Sequence, residues 1–437
     1  MAKPELAQSL LVDRFEQGIA TLPGPRLAGA RRAAMDAFAQ SGFPTPRIES
    51  WKYTNLNRIS RADFDPLLGG DAADIAQWQA LRVAGAYCIA IVNGRYSEAL
   101  SDVAGLPDGV RLTALSDALG TLDDESLGDV DYAEAGSLVA LNTAFMRDGL
   151  VLEIAGGIKL DRPVQVLHVV DAGDAGISVH PRTMVAAGPG AEAVVVETFA
   201  GNDAAAYWTN SVTDIDVGAN ASVRHYKRQA ESIGAFHTAL TRVSLARDAR
   251  YAAAAIATGA VLSRNETRVS FDGEGADCEI SGGALLRGRQ HADSTTRVEH
   301  RVPHTSSRQV FRNVLDENAH SVFQGGVIVR KDAQKTDSSQ SNRNLLLSAG
   351  AQADTKPELQ IFADDVKCAH GATVGDLDRN AMFYLTSRGV PPAEARALLI
   401  EAFVGEVTES VPEGAVRDHV VAVISDWMAG ATREDGK

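Results

Sequence analysis

In the run Asp364-Asp365-Val366-Lys367-Cys368-Ala369-His370-Gly371, a cysteine and a histidine stand one residue apart, the only place in the chain where sequence holds a thiol beside an imidazole. A strand here, suggested by the preceding Leu359-Gln360-Ile361-Phe362, turns Cys368 and His370 to the same side, because residues two apart share a face. Sulfur and imidazole nitrogen on one face suit zinc, copper, or iron bound with sulfur. Two ligands do not close a four-coordinate site, so the others must come from distant strands, a bound cluster or a second chain. The acidic pair Asp364 and Asp365 suggests a second chemistry, since clustered aspartates with calcium serve many solenoid enzymes that act on acidic polysaccharides. On one strand the two would face opposite ways, which counts against it.

Other donors are more scattered. Cys88 and Cys278 lie in runs of alternating apolar residues and read as small buried hydrophobes. Glu299, His300 and His304 form a second polar cluster, in which Glu299 and His300 would face opposite ways on a strand. The chain has no glycine-rich loop ending in Lys and Ser/Thr, no Gly-x-Ser-x-Gly elbow and no His-Glu-x-x-His, so neither ATP hydrolysis nor the common hydrolase chemistries are expected of it.

Charge and length narrow the classes further. Fifty-seven acidic against 42 basic residues give a formal charge of -15, which repels phosphate and argues against nucleic acid or an anionic membrane as partner. Three scattered cysteines make no disulfide framework and fit a reducing cytosol. Met1 to Leu22 carries Glu5, Asp13, Arg14 and Glu16, unlike a signal peptide, and no stretch is apolar for long enough to span a bilayer. A cytoplasmic protein of two or three structural units is expected from its 437 residues.

The elements that must position Cys368 and His370 fall into three parts. Residues 1–149 read as mainly helical with a small strand region: Leu11, Phe15, Ile19 and Leu22 recur near a helical period, and Arg26 to Gln40 is Ala-rich up to Gly42 and Pro44. Trp51 and Tyr53 read as packing anchors in the connector that follows. Tyr87 to Tyr96 reads as a strand running into an Asn93-Gly94 turn, and Ser137 to Arg147 as a helix closed by Asp148-Gly149. Residues 150–376 lose the helical period, and short Val-, Ile- and Thr-rich runs alternate with Gly, Asn and Asp. Within them Val185-Ala186-Ala187-Gly188-Pro189-Gly190-Ala191 matches Ile215-Asp216-Val217-Gly218-Ala219-Asn220-Ala221, 30 residues on, and Thr-Arg-Val recurs at Thr241, Thr267 and Thr296, spaced by 26 and 29. Stacked coils of variable turn length give such spacing, so a β-solenoid is expected ahead of a sandwich or barrel. Residues 377–437 return to helices: Asp378 caps Arg379 to Arg388, Pro391-Pro392 opens a second helix and Pro412 a third. Ile400, Phe403, Val404 and Val407 form one apolar stripe on the second. Such a stripe usually packs on its own domain, yet three short helices on a solenoid end have little core of their own and are also a place for a partner to dock.

Several segments together resemble the SufB/SufD family, scaffold subunits of the Suf iron-sulfur cluster assembly machinery. They are Phe311-Arg312-Asn313-Val314-Leu315, Val322-Phe323-Gln324-Gly325-Gly326, Lys335 to Leu347, Asp365 to Thr373 and Phe383-Tyr384-Leu385-x-Ser387-Arg388-Gly389, with Glu49 to Thr54 and Leu141 to Phe145 extending the likeness. The Lys-Cys-x-His-Gly run, missing from the longer SufB branch, puts the resemblance with the SufD branch. It implies a mainly β fold, a right-handed parallel β-helix core flanked by N-terminal and C-terminal helical parts. It further implies a non-catalytic scaffold that works with SufB, through the β-helix core, and with the ATPase SufC, through C-terminal helices at about 379–428. The iron-sulfur cluster, or iron being taken up, would sit transiently at the SufB-SufD interface, with His370 the implicated residue and Cys368 the second candidate. A homodimer of the isolated chain stays open. The readings from other classes are a β-helix carbohydrate-active enzyme using Asp364 and Asp365, and a metal-free structural homo-oligomer.

Overall fold

The computed structural model describes residues 6–434, apart from 69–74, 123, 125–129, 172, 174–175, 203–204 and 410. From Gly149 to Gly375 the chain runs through successive strands that alternate between two sheets. Ser306–Leu315 lies parallel between Asp277–Leu286 and Asp337–Leu346 in the first sheet. His320–Val329 lies parallel between His291–His300 and Gln352–Ile361 in the second. Two strands per coil, each hydrogen-bonded to the coil before and after, make a parallel β-solenoid, which excludes the sandwich. The recurrences are its circumference: Val185 and Ala187 pair with Ile215 and Val217, and Thr241, Thr267 and Thr296 stack in one file.

Alternation within each strand fills the interior. Ile215, Val243, Val269 and Val298 point inward from one sheet and Val195, Val223, Tyr251 and Ile280 from the other. Gly282 also faces inward, and a Cβ there would come within 2.4 Å of the Phe311 ring. Its missing side chain leaves room for Phe311 to pack on Phe323, ring centroids 4.5 Å apart. Successive coils turn one corner through a left-handed residue, at Gly190, Asn220, Asp248, Gly275, His304 and Lys335, so polar and glycine residues recur at the coil spacing.

The part before residue 150 contributes strands to both sheets. Tyr87–Val92 runs parallel to Val164–Val170, and turns at Asn93-Gly94 into Arg95–Tyr96 as expected. Val110–Ala114 lies antiparallel on Gly149–Ile154. Each covers a backbone edge that the first coil would otherwise leave open. Helices Leu6–Gly18, Ala28–Ser41 and Ser137–Phe145 pack on Trp208, Phe236 and Leu262, on the outside of the second sheet. Buried Arg31 donates to the carbonyls of Thr143 (3.3 Å) and Ala144 (2.9 Å), satisfying acceptors left over at a helix C-terminus. Trp51 is an anchor as expected: its ring lies 4.1 Å from the Arg264 guanidinium.

The C-terminal helices differ from their expected form. They are not three short helices with little core: Pro392–Thr408 and Ala415–Glu434 span 17 and 20 residues. Ile400, Val404 and Val407 join Val420, Val423, Ile424 and Trp427 in one cluster with Val196, Tyr226, Ile256, Leu285 and Val314 of the first sheet. The stripe is therefore spent on the chain's own β surface. Arg312 Nε fastens the helix by donating to Glu406 at 3.0 Å. Only Arg379–Ser387, whose first turn donates to the Asp378 side chain (2.8 Å from Asn380 N), buries none of its residues.

Candidate functional site

Among the described residues the solenoid ends without a lid. Gln352–Ile361 pairs on one side only, with His320–Val329, and Lys367–Gly375 on one side only, with Asp337–Leu346, so each is the last strand of its sheet. Their free edges carry unpaired backbone donors and acceptors, and most of their side chains are exposed or half exposed.

Cys368 and His370 lie on the second of these strands and share a face, as the two-residue period requires. Register fixes which face. Cys368 continues the file Cys278, Ser307, Ser338, and His370 the file Ile280, Gln309, Gln340. Cys278 and Ile280 belong to the interior core, so both donors are directed at the mouth of the solenoid rather than its outer wall. Cys368 is half buried against the cluster containing Leu359 and Val366, whereas His370 is exposed because no further coil covers it. Burial, and after it the Asp337 carboxylate, pushes the Cys368 thiol up from its ordinary value, against a hydrogen bond from the Ser338 backbone. The free thiol is thus protonated at neutral pH, and a metal or cluster must displace that proton.

The layer beneath is polar. Ser307 and Ser338 share a 2.8 Å hydrogen bond, and the buried Gln340 amide, directly under His370, has neither its oxygen nor its nitrogen partnered. Sequence reading missed these residues, although Gln309, Gln340 and His370 are spaced by 31 and 30, the coil length.

The remaining candidates disperse. Asp364 and Asp365 are not on a strand: the first strand ends at Ile361 and the next begins at Lys367, so the pair occupies the corner between the sheets, where Asp365 is ion-paired to Lys335. Glu299 is held by Arg301 and Arg330. His300 is buried, stacked on Phe271 at 4.4 Å and bonded to Thr305 and Ser307, while His304 is a left-handed corner residue. Cys88 and Cys278 are buried, as expected. Among the described residues no three His, Cys, Asp or Glu side chains are placed to hold a metal, and no helix is long and apolar enough to cross a membrane.

A parallel β-solenoid whose open last coil presents a thiol and an imidazole, clasped by helices at both termini, is the class that fold and site define. Residues 168–403 match the family described as SUF system FeS cluster assembly, SufBD core domain, and residues 9–166 match the SufBD protein N-terminal region. The chain belongs to the SufBD family of iron-sulfur cluster assembly proteins. It is 31% identical over 396 residues to the iron-sulfur cluster assembly protein SufD of Escherichia coli (90% of this chain, 91% of the relative). It is 31% identical over 411 residues to the SufBD family protein slr0076 of Synechocystis (91% and 90%), and 29% over 433 residues to the chloroplastic protein ABCI7 of Arabidopsis thaliana (95% and 88%).

Proposed function

We propose that the chain is a SufD-type, non-catalytic scaffold subunit that works in the cytoplasm with a SufB-type partner and a SufC-type ATPase, and contributes to iron acquisition and to the nascent cluster. The observation that carries this reading is the open last coil, with Cys368 and His370 turned into its mouth. Two free strand edges invite strand addition by another chain. A SufB-type solenoid added there would bring its own donors over Cys368 and His370 and complete a site that two ligands leave open. The iron-sulfur cluster is then cargo, shared across the interface and passed on. A carbohydrate-active site at Asp364 and Asp365 is not favoured, because one of the pair is already neutralised by Lys335 and both face solvent on a corner.

Docking of the ATPase belongs with the C-terminal helices. With the Ile400, Val404 and Val407 stripe committed to the chain's own sheet, the apolar side chains available there are Phe383 (73% exposed), Tyr384 (54%) and Leu398 (44%). A photo-crosslinking residue at Val374 tests the β interface. Crosslinks to the SufB-type partner are expected in the assembled complex. Assembly with no crosslink from this strand, but crosslinks from the outer sheet faces, would remove the open coil as the contact.

A further inference from the structure

On the outer face of the second sheet, His291 and His320 occupy one register position on neighbouring strands, and their Nδ1 atoms face each other at 3.1 Å. The far side of each ring decides where its proton sits. His320 Nε2 lies 2.7 Å from Asp354 Oδ2; a carboxylate only accepts, so Nε2 carries the hydrogen and Nδ1 the lone pair. His291 Nε2 lies 3.0 Å from Thr54 Oγ1. The single hydroxyl hydrogen of Thr54 goes to the buried Asp293 carboxylate, which Arg264 also holds, so Thr54 accepts from His291 Nε2–H. Both rings are thereby Nε2–H tautomers, and two lone pairs meet with no hydrogen between them.

Such a contact repels unless an electrophile lies in it. A carboxylate behind one imidazole, and a hydroxyl backed by a carboxylate behind the other, is the arrangement that orients histidines as metal ligands. An ion 2.0–2.1 Å from both nitrogens, themselves 3.1 Å apart, would subtend an N–metal–N angle of about 98°, between square-planar and tetrahedral values. We propose that His291 and His320 form a site for one divalent transition-metal ion of the zinc, cobalt and ferrous class, the class imidazole favours. No third His, Cys, Asp or Glu donor converges among the described residues, so the other positions are left to water. The site is separate from Cys368 and His370, which lie on the other sheet. Its sequence signal is the 29-residue spacing of the two histidines, the same offset that stacks Thr267 on Thr296.

The test uses untagged full-length protein carrying Cys368→Ala and His370→Ala, titrated with Co2+ by calorimetry and visible absorption. One saturable equivalent is expected. His291→Gln and His320→Gln should each weaken binding by roughly tenfold or more, and Asp354→Asn, which only positions His320, by roughly tenfold. Urea unfolding of the metal-free variants checks the fold, and if His291→Gln fails to fold, His320→Gln decides, because that ring is 26% exposed. Absence of a saturable equivalent, or unchanged affinity in His320→Gln, would overturn the proposal. So would histidine nitrogen NMR showing a shared proton that Zn2+ does not displace.

Discussion

Cys368 and His370 sit two residues apart yet meet different surroundings, one half buried against the cluster of Val327, Val329, Ala333 and Ala363, the other in solvent. Their shared face was legible from the strand period alone. That they point into the mouth of a solenoid was not, because inward and outward are set by register against Gln340 and Ser338, 30 residues away. Neither side chain holds the fold, so His370→Ala should leave stability within about 0.5 kcal/mol of wild type and Cys368→Ala within about 1 kcal/mol. Urea midpoints measure both, and a larger loss at His370 would mean that it is structural. Gly149 behaves oppositely. It sits at φ +152°, where a Cβ would lie 1.8 Å from the Arg182 carbonyl oxygen, so Gly149→Ala should cost at least about 2 kcal/mol or block folding. A near-neutral result would show that the start of the first coil can shift.

Among the elements, the solenoid strands and the C-terminal helices were legible in outline, since period, caps and coil spacing are local signals. What the apolar stripe packs against was not: Val404 finds Val314 and Ile256 only after the sheet has formed. Of the two readings the sequence leaves open, packing on the chain's own domain and docking of a partner, the stripe takes the first. Val404→Asp buries an unpaired charge and should destabilise the protein by at least about 3 kcal/mol, with loss of helical ellipticity. Phe383→Asp lies on a helix that buries nothing, so it should leave the melting temperature unchanged and weaken capture of the SufC-type ATPase. Intact capture by a folded Phe383→Asp protein would move the docking surface off this helix. Asp364 and Asp365 show the converse failure, because a corner that begins just past the strand end at Ile361 looks the same in sequence as a strand that continues.

For the whole molecule, histidines buried in their uncharged form imply sensitivity to acid. Burial lowers His180 to about 3 and His300 to about 4. His168 and His419 are lowered to about 4 as well, chiefly by burial. A depressed histidine binds its proton in the unfolded chain first, so stability is full above the unfolded value near pH 6.5 and falls as pH drops toward 4. Each such histidine contributes a slope of up to about 1.4 kcal/mol per pH unit. Urea unfolding at pH 7.5, 6.0 and 5.0 should show a progressive loss, and a flat profile would contradict the burial of these rings. At the same scale, the proposed function makes the open coil one half of a site shared with a partner. The most direct measurement is iron and acid-labile sulfide per complex, after reconstitution of the chain with its SufB-type and SufC-type partners, comparing wild type, Cys368→Ala and His370→Ala at equal subunit stoichiometry and thermal stability. The account predicts the larger loss in His370→Ala, with iron affinity falling roughly tenfold or more, and a smaller loss in Cys368→Ala. Wild-type iron and sulfide in a folded, fully assembled His370→Ala complex would contradict it.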